Sequence, residues 1–347
     1  MFSFISLFRR AKSPKRILLL ASLRPGSGNA ATAERLTHEL QLTGKFTVDC
    51  ISVDTPQTES HSLVASMDEY TAILALHVYR AGHVLTSIYK NERIYHPPLI
   101  LIFAGTDLHS CESKWIPTIE FILPYADGVV CFSNEWKAYV ELTYHNYLSC
   151  KITVIQQSVY LTSFHFEQLP LIINKKPILW IGEIRSVKDP LFALKVLPYL
   201  NANEYHLLLV GDENDSTLTE QIRSGSSNLT LLGRQSQSLV HTLLRTSFIY
   251  INTSVNEGMC LAILEAMTLG IPVLARRNIG NLSVVKHEKT GLLFDTPEEA
   301  AQYVSKLEQN IRLRQSLVEQ AEKYVKKYHD ITDETKSYRK LLQDLIR

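Results

Sequence analysis

Short apolar runs alternate with amphipathic, helix-periodic stretches along almost the whole chain, the pattern of buried parallel strands joined by covering helices. In the first half the runs at 16–22, 47–53, 72–76, 99–104, 128–132 and 151–155 predict strands, and in the second half those at 177–182, 206–211, 229–232, 248–252, 272–275 and 291–294. Between the two sets, the stretch 164–176 holds Pro170, runs into Pro177 and has no clear period, which marks residues 166–176 as a linker. The expected fold class is therefore α/β, with two Rossmann-like doubly wound domains, 16–165 and 177–330, facing a shared cleft. A helical stretch over 298–328 closes the second domain, and a last helix near 333–346, within the tail 331–347, is expected to pack back on the first. Open parallel sheets take ligands outside the carboxyl ends of their strands, so functional side chains belong just after strands.

Length agrees with this division, because 347 residues is about twice the roughly 100–200 of a single domain. Lys and Arg total 36 against 35 Asp and Glu, a balance that removes the electrostatic case for a nucleic-acid partner. Arg9, Arg10, Lys12, Lys15 and Arg16 nevertheless crowd residues 1–16 without an acid, so the other 331 residues hold 31 cations and 35 acids, a net charge of −4. With Phe2, Phe4, Ile5, Leu7 and Phe8 ahead of that cluster, the leader 1–15 reads either as a flexible terminus or, with Arg16, as a weak membrane-surface or targeting segment. Every apolar run falls far short of the ~20 residues of a spanning helix, so no integral membrane segment is expected. The five cysteines, Cys50, Cys111, Cys131, Cys150 and Cys260, are widely spaced and include no C-x-x-C, which favours a reducing, cytoplasmic setting over a disulfide framework or a zinc site. Asn-x-Ser/Thr matches begin at Asn214, Asn228, Asn252 and Asn281, but so short a pattern does not establish secretion.

Candidate chemistry concentrates after the run 248–252. There Ser254-Val-Asn-Glu257-Gly258-Met259 leads into Cys-Leu-Ala-Ile-Leu-Glu265-Ala-Met, and Gly270 and Pro272 end the segment. A helix opening at Glu257 would turn unpaired N–H groups and a positive dipole end toward a ligand, so the amides of Gly258 and Met259 suit a diphosphate. Glu257 and Glu265 would lie about 12 Å apart along such a helix. That separation suits two ends of one long ligand and exceeds the ~5–9.5 Å between paired glycosidase carboxylates. The plainer alternative is an acid stabilising its own helix dipole, together with a surface acid.

The pattern Glu257-x7-Glu265, within E-G-M-x-x-A-I-L-E-A-M-x-x-G-I-P-V-L-A, resembles the paired-glutamate motif of the retaining, two-Rossmann-domain glycosyltransferases of group 1. Leu231-Leu-Gly233, Gly280-Asn281 and Lys289-Thr-Gly291-Leu-Leu-Phe294 fall in the family's order, and the first half matches more loosely. The resemblance implies the GT-B fold and transfer of a sugar from a nucleotide diphosphate sugar to an unidentified acceptor, with retention and no cofactor beyond that co-substrate. It implies that Glu257 contacts donor-sugar hydroxyls, Glu265 the ribose, Gly258 and Met259 amides the phosphates, and backbone near Gly233 and Arg234 the base. Family members also use a basic pair after the first strand of the donor domain. Here Lys188 is kept, Glu183 stands where an Arg often does, and Arg185 follows; on one helical turn Arg185 and Lys188 would share a face and neutralise the departing diphosphate. A solvated basic pair is the alternative.

A second departure concerns the run 99–104, after which the family often has a histidine; here Ala104 precedes Gly105-Thr-Asp107. His77, at the end of the run 72–76, is the candidate for a related role, with a loop-capping His as the alternative. Gly105 and Asp107 are candidates for the donor side of the cleft, although Asp is also a common turn residue. Gly26-Ser-Gly28-Asn29-Ala-Ala31 fits G-x-G-x-x-A and makes an NAD(P)-dependent oxidoreductase the rival reading, weakened because Leu23-Arg-Pro25 separates strand from glycine. In a glycosyltransferase Gly28 and Asn29 would close on the diphosphate from the opposite side. No D-x-D occurs, so no metal site is expected. Ala104 and Glu183 motivate a third reading, a catalytically silent sugar-nucleotide binder.

Overall fold

The computed structural model describes residues 13–54, 66–90, 95–108, 115–159, 161 and 174–346. Most of the expected leader, residues 1–12, and most of the expected linker, residues 166–173, lie outside the described residues. Two parallel six-stranded sheets carry the fold. The first has the order β2-β1-β3-β4-β5-β6, built from β1 (Lys15–Ala21), β2 (Phe46–Ser52), β3 (Ala72–Leu76), β4 (Leu99–Ile102), β5 (Gly128–Cys131) and β6 (Ile152–Val154). The second has the order β12-β11-β10-β7-β8-β9, from β7 (Lys176–Ile181), β8 (Tyr205–Val210), β9 (Leu229–Leu231), β10 (Ile249–Asn252), β11 (Val273–Arg276) and β12 (Leu292–Phe294). All twelve expected strands form, each within two residues of its expected bounds. Apolar runs without alternation form such strands because both faces are covered. In β1, Ile17 and Leu19 enter one core with Leu36 and Leu40, while Leu18 and Leu20 enter another with Leu85 and Ile88.

The covering helices of the first domain are α1 (Gly28–Leu42), α2 (Val78–Tyr89), α3 (Ile116–Ile122) and α4 (Asn134–Tyr144). Those of the second are α5 (Pro190–Val196), α6 (Ser216–Gly225), α7 (Gln237–Thr246), α8 (Leu261–Thr268), α9 (Ile279–Val284), α10 (Pro297–Gln309) and α11 (Ile311–Tyr328). Short polar residues set many of their starts: Ser27, Ser133, Asp215, Ser236 and Asn278 each accept a first-turn N–H. The single helix expected over 298–328 is instead two helices. Asn310 ends α10, and its Oδ1 accepts from Leu313 N at 2.9 Å to start α11, a local side-chain bond that outcompetes continuation.

The last helix, α12 (Ile331–Leu345), lies against the first domain although α11 packs against α8 of the second. Its buried Glu334 receives Arg35 of α1 at 2.9 and 3.1 Å and Ser158 through both N and Oγ, while His329, just before it, holds the Gln157 carbonyl at 2.6 Å. Burial lowers the pKa of the His329 imidazole. Among the described residues no helix is long and apolar enough to cross a membrane.

Each sheet has a switch point where the chain leaves on opposite sides: β1 lies between β2 and β3, and β7 between β10 and β8. Crevices open outside such points, and here the two crevices face each other.

Candidate active site

At the second switch point the loops after β7 and β10 meet. Lys188 ends a short 3-10 turn, Ser186–Lys188, and its Nζ donates to Glu257 Oε1 at 2.6 Å. The same oxygen accepts from Ser254 Oγ at 2.7 Å and Asn252 Nδ2 at 3.3 Å. Burial pushes the Glu257 carboxyl up, but Lys188, Ser254 and Asn252 outweigh it and hold the group below its ordinary value. Behind Asn252, the fully buried Asn281 donates from Nδ2 to Asn252 Oδ1 at 2.9 Å and to the Arg276 carbonyl at 2.8 Å. Glu257 is thus an ionised carboxylate fixed from three strand ends. Two of the Asn-x-Ser/Thr matches, at Asn252 and Asn281, are buried parts of this network.

The helix expected to open at Glu257 starts later, at Leu261, so of the two glutamates only Glu265 is helical. Tertiary bonds hold the preceding segment out of the helix: Val255 N donates to the Val187 carbonyl at 2.9 Å, and Asn278 Nδ2 donates to the Ser254 carbonyl at 2.9 Å. Cys260 stands at the N-cap of α8, where a thiol is a weaker partner for first-turn amides than the Ser or Asp found at other helix starts. Burial pushes its thiol up to about 12. One α-helical turn further on, Glu265 Oε1 accepts from Gln237 Nε2 at 2.8 Å, with His241 Nε2 at 3.9 Å.

Arg185 and Lys188, expected to share a face, engage different carboxylates. Arg185 Nε lies 3.3 Å from Glu183 Oε2, in ion-pair range but without hydrogen-bond alignment. Gly182 and Gly211 close the floor of the site; a Cβ on Gly211, at φ 151°, would meet the Gly182 carbonyl oxygen at 1.8 Å. Gly233, at φ 65°, and Arg234 follow β9, and Arg234 pairs with Asp212 at 2.6 Å.

The first domain answers from the other side. Arg234 Nη2 also donates to the Pro25 carbonyl in the loop before α1, and a Cβ on Gly26 would stand 3.4 Å from its Nε. Gly28 opens α1, and the side-chain oxygen of Asn29 reaches 3.9 Å from where a Gly105 Cβ would be. Gly105 and Gly258 touch across the cleft, since a Cβ on Gly258 would lie 2.7 Å from Gly105 N; only glycine allows that approach. Trp136 Nε1 donates to the Gly258 carbonyl at 2.5 Å and adds a further interdomain tie.

His77 stands beside Gly105, with its Cδ2 likewise 3.9 Å from where a Gly105 Cβ would be, in the region where the sequence lacks the family's usual histidine. Its backbone is held at φ 73°, a strained value for a non-glycine residue, and its ring is 2% exposed. Nδ1 lies 2.6 Å from Asp107 Oδ1. Asp107 is fully buried and also accepts from Val78 N at 2.6 Å, Tyr79 N at 3.0 Å and Ala104 N at 3.2 Å. It caps α2 and orients His77, an arrangement that occupies its carboxylate with protein donors. On the other side of His77, Trp115 presents its ring edge at 6.1 Å and stacks on Tyr79 at 4.5 Å.

Sequence reasoning did not single out Asn252, Ser254 or Trp136 as site residues. A buried Asn closing a β-strand was the available signal for the first; Trp136 carries none, because its partner is 122 residues away.

The family model described as Glycosyl transferases group 1 matches residues 162–324. The glycosyltransferase 1 domain-containing protein 1 of Xenopus tropicalis is 31% identical over 349 residues, covering 95% of this chain and 98% of that protein. Among solved structures, sucrose-phosphate synthase from Thermosynechococcus elongatus is similar at a TM-score of 0.80 and 16% identity, over 95% of this chain and 99% of that one. HepE of Anabaena, solved in complex with UDP-glucose, is similar at a TM-score of 0.77 and 16% identity, again over 95% and 99%. At that identity the two structures speak to fold alone, and the fold is the two-domain GT-B arrangement built up above. The full-length likeness to the Xenopus tropicalis protein and the match to the family model place the chain, in family rather than in substrate: it belongs to the group 1 glycosyl transferases.

Proposed function

We propose that the protein transfers a sugar from a nucleotide diphosphate sugar held by residues 177–330 to an acceptor held by residues 16–165, with retention of anomeric configuration. The observation that carries this reading is the Lys188–Glu257 pair at the switch point, 2.6 Å apart and partly buried ahead of the start of α8. Glu257 accepts from donor-sugar hydroxyls. Glu265, braced by Gln237, takes the ribose. The amides of Gly258 and Met259 and the first turn of α8 hold the diphosphate, with Gly28 and Asn29 closing from the first domain. Gly233 and Arg234 border the base.

Negative charge builds on the diphosphate as its bond to the anomeric carbon breaks, and Lys188, with Arg185 at the rim, stabilises it there. The acceptor oxygen enters on the face the diphosphate leaves, and its proton departs with the nucleoside diphosphate, so no protein nucleophile is required. His77, oriented by Asp107 through Nδ1, offers Nε2 to a sugar hydroxyl from the position beside Gly105. Domain contact through Gly105–Gly258 and Trp136 excludes water from the reacting centre. HepE of Anabaena, with UDP-glucose, supports a donor of this chemical class. Transfer from a panel of UDP- and GDP-sugars tests the reading: Glu257→Ala and Lys188→Ala should each abolish transfer with the fold intact, and near-normal turnover in either sinks it.

A further inference from the structure

The donor reading leaves one charged cluster of the cleft unused. Asp54, just after β2, accepts from Ser22 Oγ at 2.7 and 3.0 Å and from Leu23 N at 3.1 Å, which already anchors its carboxylate. Two guanidinium groups nevertheless converge on it: Arg80, from the first turn of α2, with Nη1 at 3.0 Å from Oδ1, and Arg24, after β1, with Nε at 3.5 Å. Two cations on one carboxylate leave a net positive charge. The side chains of Arg80 and Arg24 are 26% and 61% exposed, so this charge is open to a ligand.

Place matters as much as charge. The cluster sits at the carboxyl ends of β1 and β2, and β1 is the sheet neighbour of β3, whose end carries His77. β4, which ends near Gly105, is the next strand. At a strand spacing of about 4.8 Å, Arg24, after β1, lies roughly 5 Å from the strand of His77 and 10 Å from that of Gly105, with Asp54, after β2, one spacing further out. A small molecule seated on the arginines therefore reaches the reacting centre with its other end.

We propose that Arg24 and Arg80, set by Asp54, form an anion subsite of the acceptor site, so that the acceptor is a hydroxyl compound bearing a phosphate monoester. Planar guanidinium forks match phosphate oxygens bidentately, and two of them around one organising carboxylate fix the orientation of the anion. The acceptor hydroxyl, at the end remote from the phosphate, takes the anomeric carbon from the diphosphate oxygen. Its proton leaves with the nucleoside diphosphate, and the acceptor's own phosphate stays intact. The inference rests on the assignment of the acceptor to the first domain made above.

Calorimetric titration of the full chain tests it, with the donor site first saturated by UDP or GDP, whichever raises the melting temperature. The probes are glucose 6-phosphate, mannose 6-phosphate, fructose 6-phosphate and inositol 1-phosphate, each paired with its neutral parent. At least one ester should bind ten-fold or more tightly than its parent, and the ratio should fall toward one in Arg80→Gln and Arg24→Gln/Arg80→Gln, with nucleotide affinity within about twofold of wild type. Equal binding of esters and parents by nucleotide-loaded protein overturns the subsite, as does a preference that survives the double substitution. Failure of both nucleotides to bind overturns the donor assignment, and the subsite with it.

Discussion

Replacing Lys188 by Met removes the cation facing Glu257 while keeping most of the volume of its stem. Breaking one side of a buried ion pair costs roughly 3–5 kcal/mol, because the remaining charge is left in a poor solvent. Two features moderate the cost here: Ser254 Oγ still donates at 2.7 Å and Asn252 Nδ2 at 3.3 Å, and Lys188 is 19% exposed, so water shares the site. The low end, about 3 kcal/mol at pH 8, is the value expected. Its pH dependence follows from the direction of the shift. In the wild type Glu257 titrates below its unfolded value of about 4.3, so its contribution is present above that pH and is lost only as pH falls through the lower folded value. Without Lys188, burial is left as the largest influence and raises the carboxyl above its unfolded value. Stability in the variant is then full below about pH 4.3 and is lost as pH rises through the new, higher value. Urea midpoints of the full chain between pH 4 and pH 8 measure this: the gap from wild type should be about 3 kcal/mol at pH 8, close toward pH 4, and largely vanish in Lys188→Met/Glu257→Gln. A variant as stable as wild type at pH 8, or a gap that does not change with pH, refutes the assignment of Glu257 as a buried ionised group held by Lys188.

Other expectations concern backbone contact and the interdomain seams. Gly258→Ala puts a methyl 2.7 Å from Gly105 N, so the domains must part by some tenths of an ångström and the Trp136 bond must lengthen; kcat should fall on the order of 10²-fold with unchanged circular dichroism. Glu334→Gln leaves the Arg35 guanidinium buried without its charge partner and should lower stability by about 3 kcal/mol, read as an earlier calorimetric transition. Gly211→Ala and Gly28→Ala should differ in sign. The first drives a methyl into the Gly182 carbonyl at 1.8 Å and should leave little soluble protein, whereas the second meets nothing within 4 Å, opens a helix, and should stabilise by about 0.4–1 kcal/mol.

The strands were legible because a buried parallel strand is apolar on both faces, so runs such as Ile17–Leu20 identify themselves without knowledge of their neighbours. Glu257 and Lys188 were legible as candidates through their motifs, but not their contact. They are 69 residues apart, and only the sheet order, with β10 beside β7, brings their loops together. The start of α8 was misplaced because local pattern favours a helix at Glu257, while bonds to the Val187 carbonyl and from Asn278 hold that segment out of the helix; these partners are invisible in a window of sequence. Asp107 illustrates the converse. Asp after Gly-Thr reads as a turn residue or a ligand contact, yet its carboxylate is taken by the amides of Val78 and Tyr79, almost 30 positions earlier.

The seating of α12 reorders what the gene encodes. The first mechanical body is assembled from both ends of the described chain, since Arg35 and Ser158 both donate to the buried carboxylate of Glu334, while everything from β7 to Tyr328 forms the second. The polypeptide therefore passes between the bodies twice, once between Val159 and Lys176 and once at His329, and Val159 N donates to the His329 carbonyl at 3.3 Å. A gene divided between β6 and β7 would leave the first body without α12 and the second carrying it as an unpartnered tail, whereas a circular permutant joining α12 directly ahead of β1 would encode each body as one uninterrupted segment.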